Sequence, residues 1–207
     1  MTFKICVLIS GNGTNLQAII DSIENKYLEN VKIEVVISNK ETAYGLERAK
    51  KASIQTRVFS LQSYLSKSSE HTRSTYGTEL AKIIREYNVD LIVLAGWMII
   101  LPASFLKEFS DNKPTLDIIN LHPALPGQYP GAHAIERAYN DFKDNKITHS
   151  GLMIHKVIEE VDAGEVLLTS EIPIYPEDTL ETLEDRFHKQ EHKSLVEAIK
   201  LISTKSN

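Results

Sequence analysis

The feature that most constrains this chain is a regular alternation between short apolar runs and segments whose apolar residues recur at helical spacing. Phe3 to Ile9 is a β-branched-rich run ending in Ser10-Gly11-Asn12-Gly13-Thr14-Asn15, after which Leu16, Ile19, Ile20 and Ile23 follow at intervals of three and one. Val31 to Ile37 and Thr56 to Phe59 repeat the strand signal around a helical stretch, Ala43 to Ala52, and the polar segment Leu61 to Thr72 reads as a surface loop. From Ser74 a helix carries Tyr76, Leu80, Ile83, Ile84 and Tyr87 on one face, and Val89 to Ala95 is an apolar strand closed by Gly96.

Leu116 to Leu121 gives a fifth strand, which breaks at Pro123 into a Pro/Gly-rich loop reaching Gly131 before a helix over Ala132 to Phe142. Ser150 to Val157 and Glu165 to Ile174 are two further strands, separated by the acidic, glycine-bearing segment Glu159 to Gly164. Asp178 starts a long terminal helix striped by Leu180, Leu183, Phe187, Leu195, Ile199 and Ile202, and Ser203 to Asn207 is expected to fray. Strands apolar along their whole length, interleaved with helices, predict an α/β fold: a doubly wound, mostly parallel sheet with helices on both faces.

Composition narrows the partners. The net charge of -5 comes with Lys and Arg scattered singly or in pairs, so no basic footprint for nucleic acid exists. No run approaches the ~18 apolar residues of a membrane span, and Met1-Thr2-Phe3-Lys4 leads into a strand rather than a signal sequence, so a cytoplasmic protein without a membrane partner is expected. Cys6, the single cysteine, lies within Ile5 to Ile9 and reads as a buried structural thiol.

Chemistry concentrates at three places. Gly11 to Asn15 joins the first strand to the first helix, where unpaired N–H groups and the helix dipole attract an anion. A side chain at Gly13 is expected to obstruct the approach of phosphate to the backbone. The turn is neither a dinucleotide fingerprint nor a Walker A loop, and the same residues also suit a plain tight turn with Thr14 or Asn15 capping the helix.

Asn120 and His122 end the fifth strand two residues apart, hence on one side, at the sheet edge where open α/β folds bind ligands. Asp162 sits in the segment between the last two strands, where it serves equally as a turn former. His188 and His192 are one helical turn apart but lack a third ligand, so no metal site is expected.

These motifs carry a resemblance. GNGTNLQAII from Gly11 to Ile20, LAGWM from Leu94 to Met98, NLHPALPGQYPG from Asn120 to Gly131, VDAGE from Val161 to Glu165 and QEH from Gln190 to His192 stand in one family's order. From about Lys4 to the terminal helix the chain resembles the monofunctional glycinamide ribonucleotide formyltransferases. Met98-Ile99-Ile100 and Gly151-Leu152-Met153 look more like the fungal branch, and Ala124-Leu125-Pro126-Gly127-Gln128 departs from the family's usual loop.

The resemblance implies one formyltransferase domain over 1–207, with a Rossmann-like phosphate-binding half (1–110) and a catalytic, folate-binding half (111–207). It implies Asn120, His122 and Asp162 as the catalytic trio, and Gly13, Thr14, Asn15 and Glu191 as contacts to phosphoribosylglycinamide. Arg73, Met98, Ile99, Ile100, Leu101, Asn120, Ile158, Glu159, Glu160, Val161 and Asp162 would meet the folate. The co-substrate would be 10-formyltetrahydrofolate, with no metal, and the protein a monomer or homodimer acting on small molecules in purine synthesis.

In that setting Asp162 is expected to lift the His122 pKa above its reference of about 6.5 and keep the ring charged beside a developing oxyanion. Three alternatives remain. A formyltetrahydrofolate hydrolase shares the Asn-His-Asp arrangement but lacks the GNGTN turn, a methionyl-tRNA formyltransferase needs a basic surface, and a non-catalytic folate- or nucleotide-binding module would use Asn120 and His122 only structurally.

Overall fold

The computed structural model describes residues 2–111 and 116–205. In chain order the elements are β1 (Phe3–Ile9), α1 (Thr14–Glu24), β2 (Val31–Ser38), α2 (Tyr44–Lys51), β3 (Thr56–Val58), α3 (Leu61–Leu65), α4 (Arg73–Arg85), β4 (Leu91–Leu94), α5 (Ala103–Ser110), β5 (Asp117–His122), α6 (Ala134–Lys143), β6 (His149–Lys156), β7 (Val166–Pro173) and α7 (Leu180–Lys205). The strands take the order β3-β2-β1-β4-β5-β6-β7. The expected α/β architecture with a mostly parallel sheet therefore holds. The chain divides into two units, one ending at Ile119 and the other beginning at Asn120, so the cut falls inside β5.

In the first unit β1 pairs in parallel with both β2 and β4, and β2 with β3. Ile5 to Ile9 are wholly buried, as a central strand covered on both faces requires, and Cys6 among them has its thiol pKa pushed up by burial, which removes it as a nucleophile.

Two segments differ from the expectation. Leu61 to Thr72 is not all loop: α3 begins where the Ser60 hydroxyl accepts from the Ser63 amide, and aromatic packing anchors the segment. Tyr64 stacks on His71 at 4.0 Å and packs edge-on to Tyr76, itself stacked on Phe59. The second difference is α5, which the sequence reading missed because Pro102 precedes it with no side-chain cap; Phe105 and Phe109, one helical turn apart, bury its inner face.

The second unit contains an antiparallel pair, β6 and β7, in register from His149↔Pro173 to His155↔Val166 with one shift at Ile154/His155. Leu152, Ile172 and Ile174 pack with Leu183 and Phe187 of α7, and Ile135, Tyr139 and Phe142 of α6 close the cluster. Truncating the buried Phe187 to Ala would cost about 3–5 kcal/mol. Before α7, Asp178 accepts both arms of Arg186 at 2.8 Å, and that guanidinium holds its carboxyl well below the usual carboxylate range. The helix continues through Lys205, so Ser203 to Lys205 do not fray; 206–207 lie outside the described residues.

Candidate active site

The glycine turn of the first unit is shaped by backbone contact. Gly13 is the residue before α1, in the left-handed region at φ +74°, and no side chain caps the helix there. The capping role open to Thr14 or Asn15 is thus not taken up, and the first amides of α1 lack helical acceptors. A Cβ built on Gly13 would lie 2.6 Å from the Gly45 Cα, and one on Gly45 would lie 2.5 Å from Ile9 Cδ1. The missing side chain of Gly13 thus lets the turn seat against α2.

The second unit gathers three expected residues and one that sequence reasoning passed over. Asp162 Oδ2 lies 3.4 Å from His122 Nδ1, and Asp162 Oδ1 lies 3.5 Å from Asn120 Nδ2. Asp162 reaches them from the β6–β7 connection at φ +55°, which Asp tolerates better than most residues, and the Gly131 amide donates to its Oδ2 at 2.8 Å. Gly164 permits this path, since a Cβ there would collide with the Lys156 carbonyl oxygen.

The residue passed over is His155 on β6, only 2% exposed. Its Nδ1 sits 2.9 Å from the Lys156 carbonyl, which can only accept, so in the neutral ring Nε2 is the acceptor for Asn120 Nδ2 at 3.2 Å. A histidine at the bulged end of an otherwise apolar strand was the available signal.

Electrostatics overturn the expected state of His122. Burial pushes its pKa down, Asp162 and the Tyr129 carbonyl push it up, His155 pushes it down, and the net is a value below the ordinary 6.5. The pull of Asp162 exists, but desolvation outweighs it. Burial alone would raise the Asp162 carboxyl, yet the His155 contact, the Gly131 amide and the nearby ring charges bring it below its ordinary value.

At neutral pH the pair is therefore a carboxylate and a neutral imidazole. Both neighbours of the ring can only accept, the Tyr129 carbonyl 3.0 Å from Nε2 and the Asp162 carboxylate 3.4 Å from Nδ1; the shorter contact favours the hydrogen on Nε2, which leaves the Nδ1 lone pair toward Asp162. A proton arriving at Nδ1 would meet negative charge at once.

The other expected residues fall as follows. Arg73 at the start of α4 donates to the Ile100 carbonyl at 3.1 Å, which joins it to the Met98–Leu101 segment; Met98 and Ile100 are 72% and 62% exposed, Ile99 is half-buried and Leu101 is buried. In the second unit Ile158, Glu159, Glu160 and Val161 are exposed and Asp162 half-buried. Glu191 is buried within α7, whereas His188 on the same helix is exposed. Among the described residues no group of three His, Cys, Asp or Glu side chains could hold a metal ion.

Comparison with known proteins places this geometry among relatives. The formyl transferase family model matches residues 3–199. The chain is 83% identical to a phosphoribosylglycinamide formyltransferase from Dictyostelium discoideum, over 99% of this chain and all of that one. It is 46% identical to a protein of the same name from Schizosaccharomyces pombe over 99% of each. Among solved structures, glycinamide ribonucleotide transformylase 1 from Symbiobacterium toebii has a TM-score of 0.85 at 33% identity, covering 98% of this chain and 88% of that one.

Proposed function

The chain belongs to the formyl transferase family, and from that membership we propose that it transfers the formyl group of 10-formyltetrahydrofolate to the amine of phosphoribosylglycinamide, a step of purine synthesis. One observation carries the reading: a single half-buried carboxylate, Asp162, lies within 3.5 Å of both Asn120 and His122. Asn120, His122 and Asp162 are the catalytic residues of this reading.

The neutral amine attacks the formyl carbon, a C–N bond forms, and the carbonyl electron pair moves onto oxygen. That oxyanion needs donors fixed in advance. The Nε2–H of His122 is one, and the formyl oxygen displaces the Tyr129 carbonyl that now accepts it. Asn120 supplies a second, because its contact to Asp162 at 3.5 Å is long enough to yield one N–H.

The proton leaving the attacking nitrogen passes to the Asp162–His122 pair, where the ionised carboxylate and the bare Nδ1 both receive it, and then to the folate nitrogen as its bond to carbon breaks. No net proton is consumed.

Gly13, Thr14 and Asn15 would take the substrate's phosphate, and Glu191 its ribose or glycinamide part. Arg73, the exposed Met98 and Ile100 and the neighbouring Ile99 and Leu101 would receive the folate in the first unit. Ile158 to Asp162 and Asn120 would receive it in the second. We take 1–207 as one formyltransferase domain with a phosphate-binding half and a catalytic half. No helix among the described residues is long and apolar enough to cross a membrane. We take the protein as cytoplasmic and as a monomer or homodimer.

The test incubates purified protein with 10-formyltetrahydrofolate, with and without phosphoribosylglycinamide, and follows deformylated folate and formylated product together. Equal yields of both, only with the acceptor, support the reading. Deformylation without the acceptor makes the protein a hydrolase, and neither product makes it a binding module.

A further inference from the structure

We infer that Gly45, in the first turn of α2, and Arg48, in its last, are positioning residues that aim the amides of the glycine turn at the substrate's phosphate. The inference rests on the reading of Gly13 to Asn15 as the phosphate site and adds what holds that site in shape.

The argument begins from the peptide plane. In a trans peptide the carbonyl of one residue and the N–H of the next point in opposite directions, so whatever fixes the carbonyl also aims the amide. The Gly45 amide donates to the Gly11 carbonyl at 3.1 Å, which turns the Asn12 N–H away from α2. Arg48 Nε donates to the Asn12 carbonyl at 2.9 Å, which turns the Gly13 N–H the same way. Two successive amides thus face outward beside the uncapped start of α1, the arrangement of backbone N–H groups that binds anions.

The rest of the Arg48 side chain secures this contact. One guanidinium nitrogen donates to Asn12 Oδ1 at 3.0 Å and the other to Gln17 Oε1 at 3.2 Å, so the fork spans the turn and the first full turn of α1. The guanidinium carbon lies 5.0 Å from the Tyr44 ring centroid, which limits its swing. All three acceptors are neutral, so they leave its positive charge uncancelled at an anion site. Close seating of the two helix starts depends on Gly13 and Gly45, whose backbones touch where any Cβ would intrude.

The planar fork does the aiming, and an ammonium of equal charge does not reproduce it. Steady-state kinetics on Arg48→Met should therefore show the KM for phosphoribosylglycinamide raised about ten-fold, with kcat and the KM for the formyl-folate within about two-fold of wild type. Arg48→Lys should recover less than half of that loss on a logarithmic scale, and Asn12→Ala, which removes one of the three acceptors, should give a smaller selective rise. Thermal melting confirms that each variant is folded.

An unchanged KM in Arg48→Met, or full recovery by Arg48→Lys, overturns the positioning role. Gly13→Ala separates the two layers of the argument, because it strains the turn directly. If Gly13→Ala raises that KM while Arg48→Met does not, only the role of Arg48 falls. If Gly13→Ala leaves it unchanged, the phosphate reading falls as well.

Discussion

The glycine turn of the first unit and the carboxylate cluster of the second are held by opposite means. The turn is made of backbone: Gly13 and Gly45 in contact, two fixed carbonyls, and amides left facing outward. The cluster is made of side chains: two buried histidines and an asparagine converging on Asp162. A backbone site changes affinity when its shape is disturbed, because its dipoles stay the same in ground state and transition state. A buried side-chain site changes the rate, because its value lies in charge and protons present only as bonds rearrange. Variants of the turn should thus move the KM for the phosphorylated substrate, and variants of the cluster should move kcat.

The largest effect belongs to His122→Ala and Asp162→Asn, each of which should slow transfer at saturation by at least about 100-fold while leaving a folded protein. Asn is the informative replacement at position 162, because at φ +55° it keeps the backbone comfortable while removing the charge. A loss confined to the KM for phosphoribosylglycinamide would erase the distinction between the two regions.

Gly164→Ala comes next and disturbs the cluster without touching any of its side chains. The new Cβ collides with the Lys156 carbonyl, so the 157–164 segment must shift and carry Asp162 with it. A misplacement of about 1 Å can cost up to about 100-fold, so a loss of tens-fold in kcat is expected, with little change in the KM for the phosphorylated substrate. Wild-type turnover would mean that Asp162 does not need its present seat.

How much of this was legible in the sequence depends on whether the signal was local. The strands and most helices announced themselves by periodicity, and Asn120 and His122 by the period-two rule at a strand broken by Pro123. Segment α3 escaped because its stability comes from Tyr64 stacking on His71 and packing against Tyr76, not from a stripe of its own. Segment α5 escaped because Pro102 opens it without a polar cap, although Phe105 and Phe109 at helical spacing were there to be read. His155 was hidden by its setting in an apolar strand, and its partner Asn120 lies 35 positions away. The resting charge of His122 went wrong for a related reason: a neighbouring carboxylate can be guessed from motifs, whereas the depth of burial that outweighs it is a property of the whole fold.

A smaller effect tests the missed residue. His155→Leu fills similar space but leaves one N–H of Asn120 Nδ2 without an acceptor, which costs about 1–3 kcal/mol in alignment or stability; kcat should fall about ten-fold. His155→Gln supplies a new acceptor and should recover part of that loss. Equal activity in the two variants would reduce His155 to a filler of the core.

The finest distinction is one of protons, since the backbone amides of the turn do not titrate and the cluster does. With His122 held below its ordinary value by burial, an NMR titration of its ring should give a midpoint under 6.5. Asp162→Asn removes a charge that pulls that midpoint up, so it should fall further. The sign for stability follows: a ring that resists protonation when folded contributes fully above the unfolded value, and its contribution is lost as pH drops through the window between that value and the lower folded one. Stability should therefore begin to decline just below pH 6.5. A midpoint above neutral pH would make the resting ring an imidazolium and return the stabilisation of the oxyanion to a full positive charge, and one that rises when Asp162 becomes Asn would deny that Asp162 pulls it up.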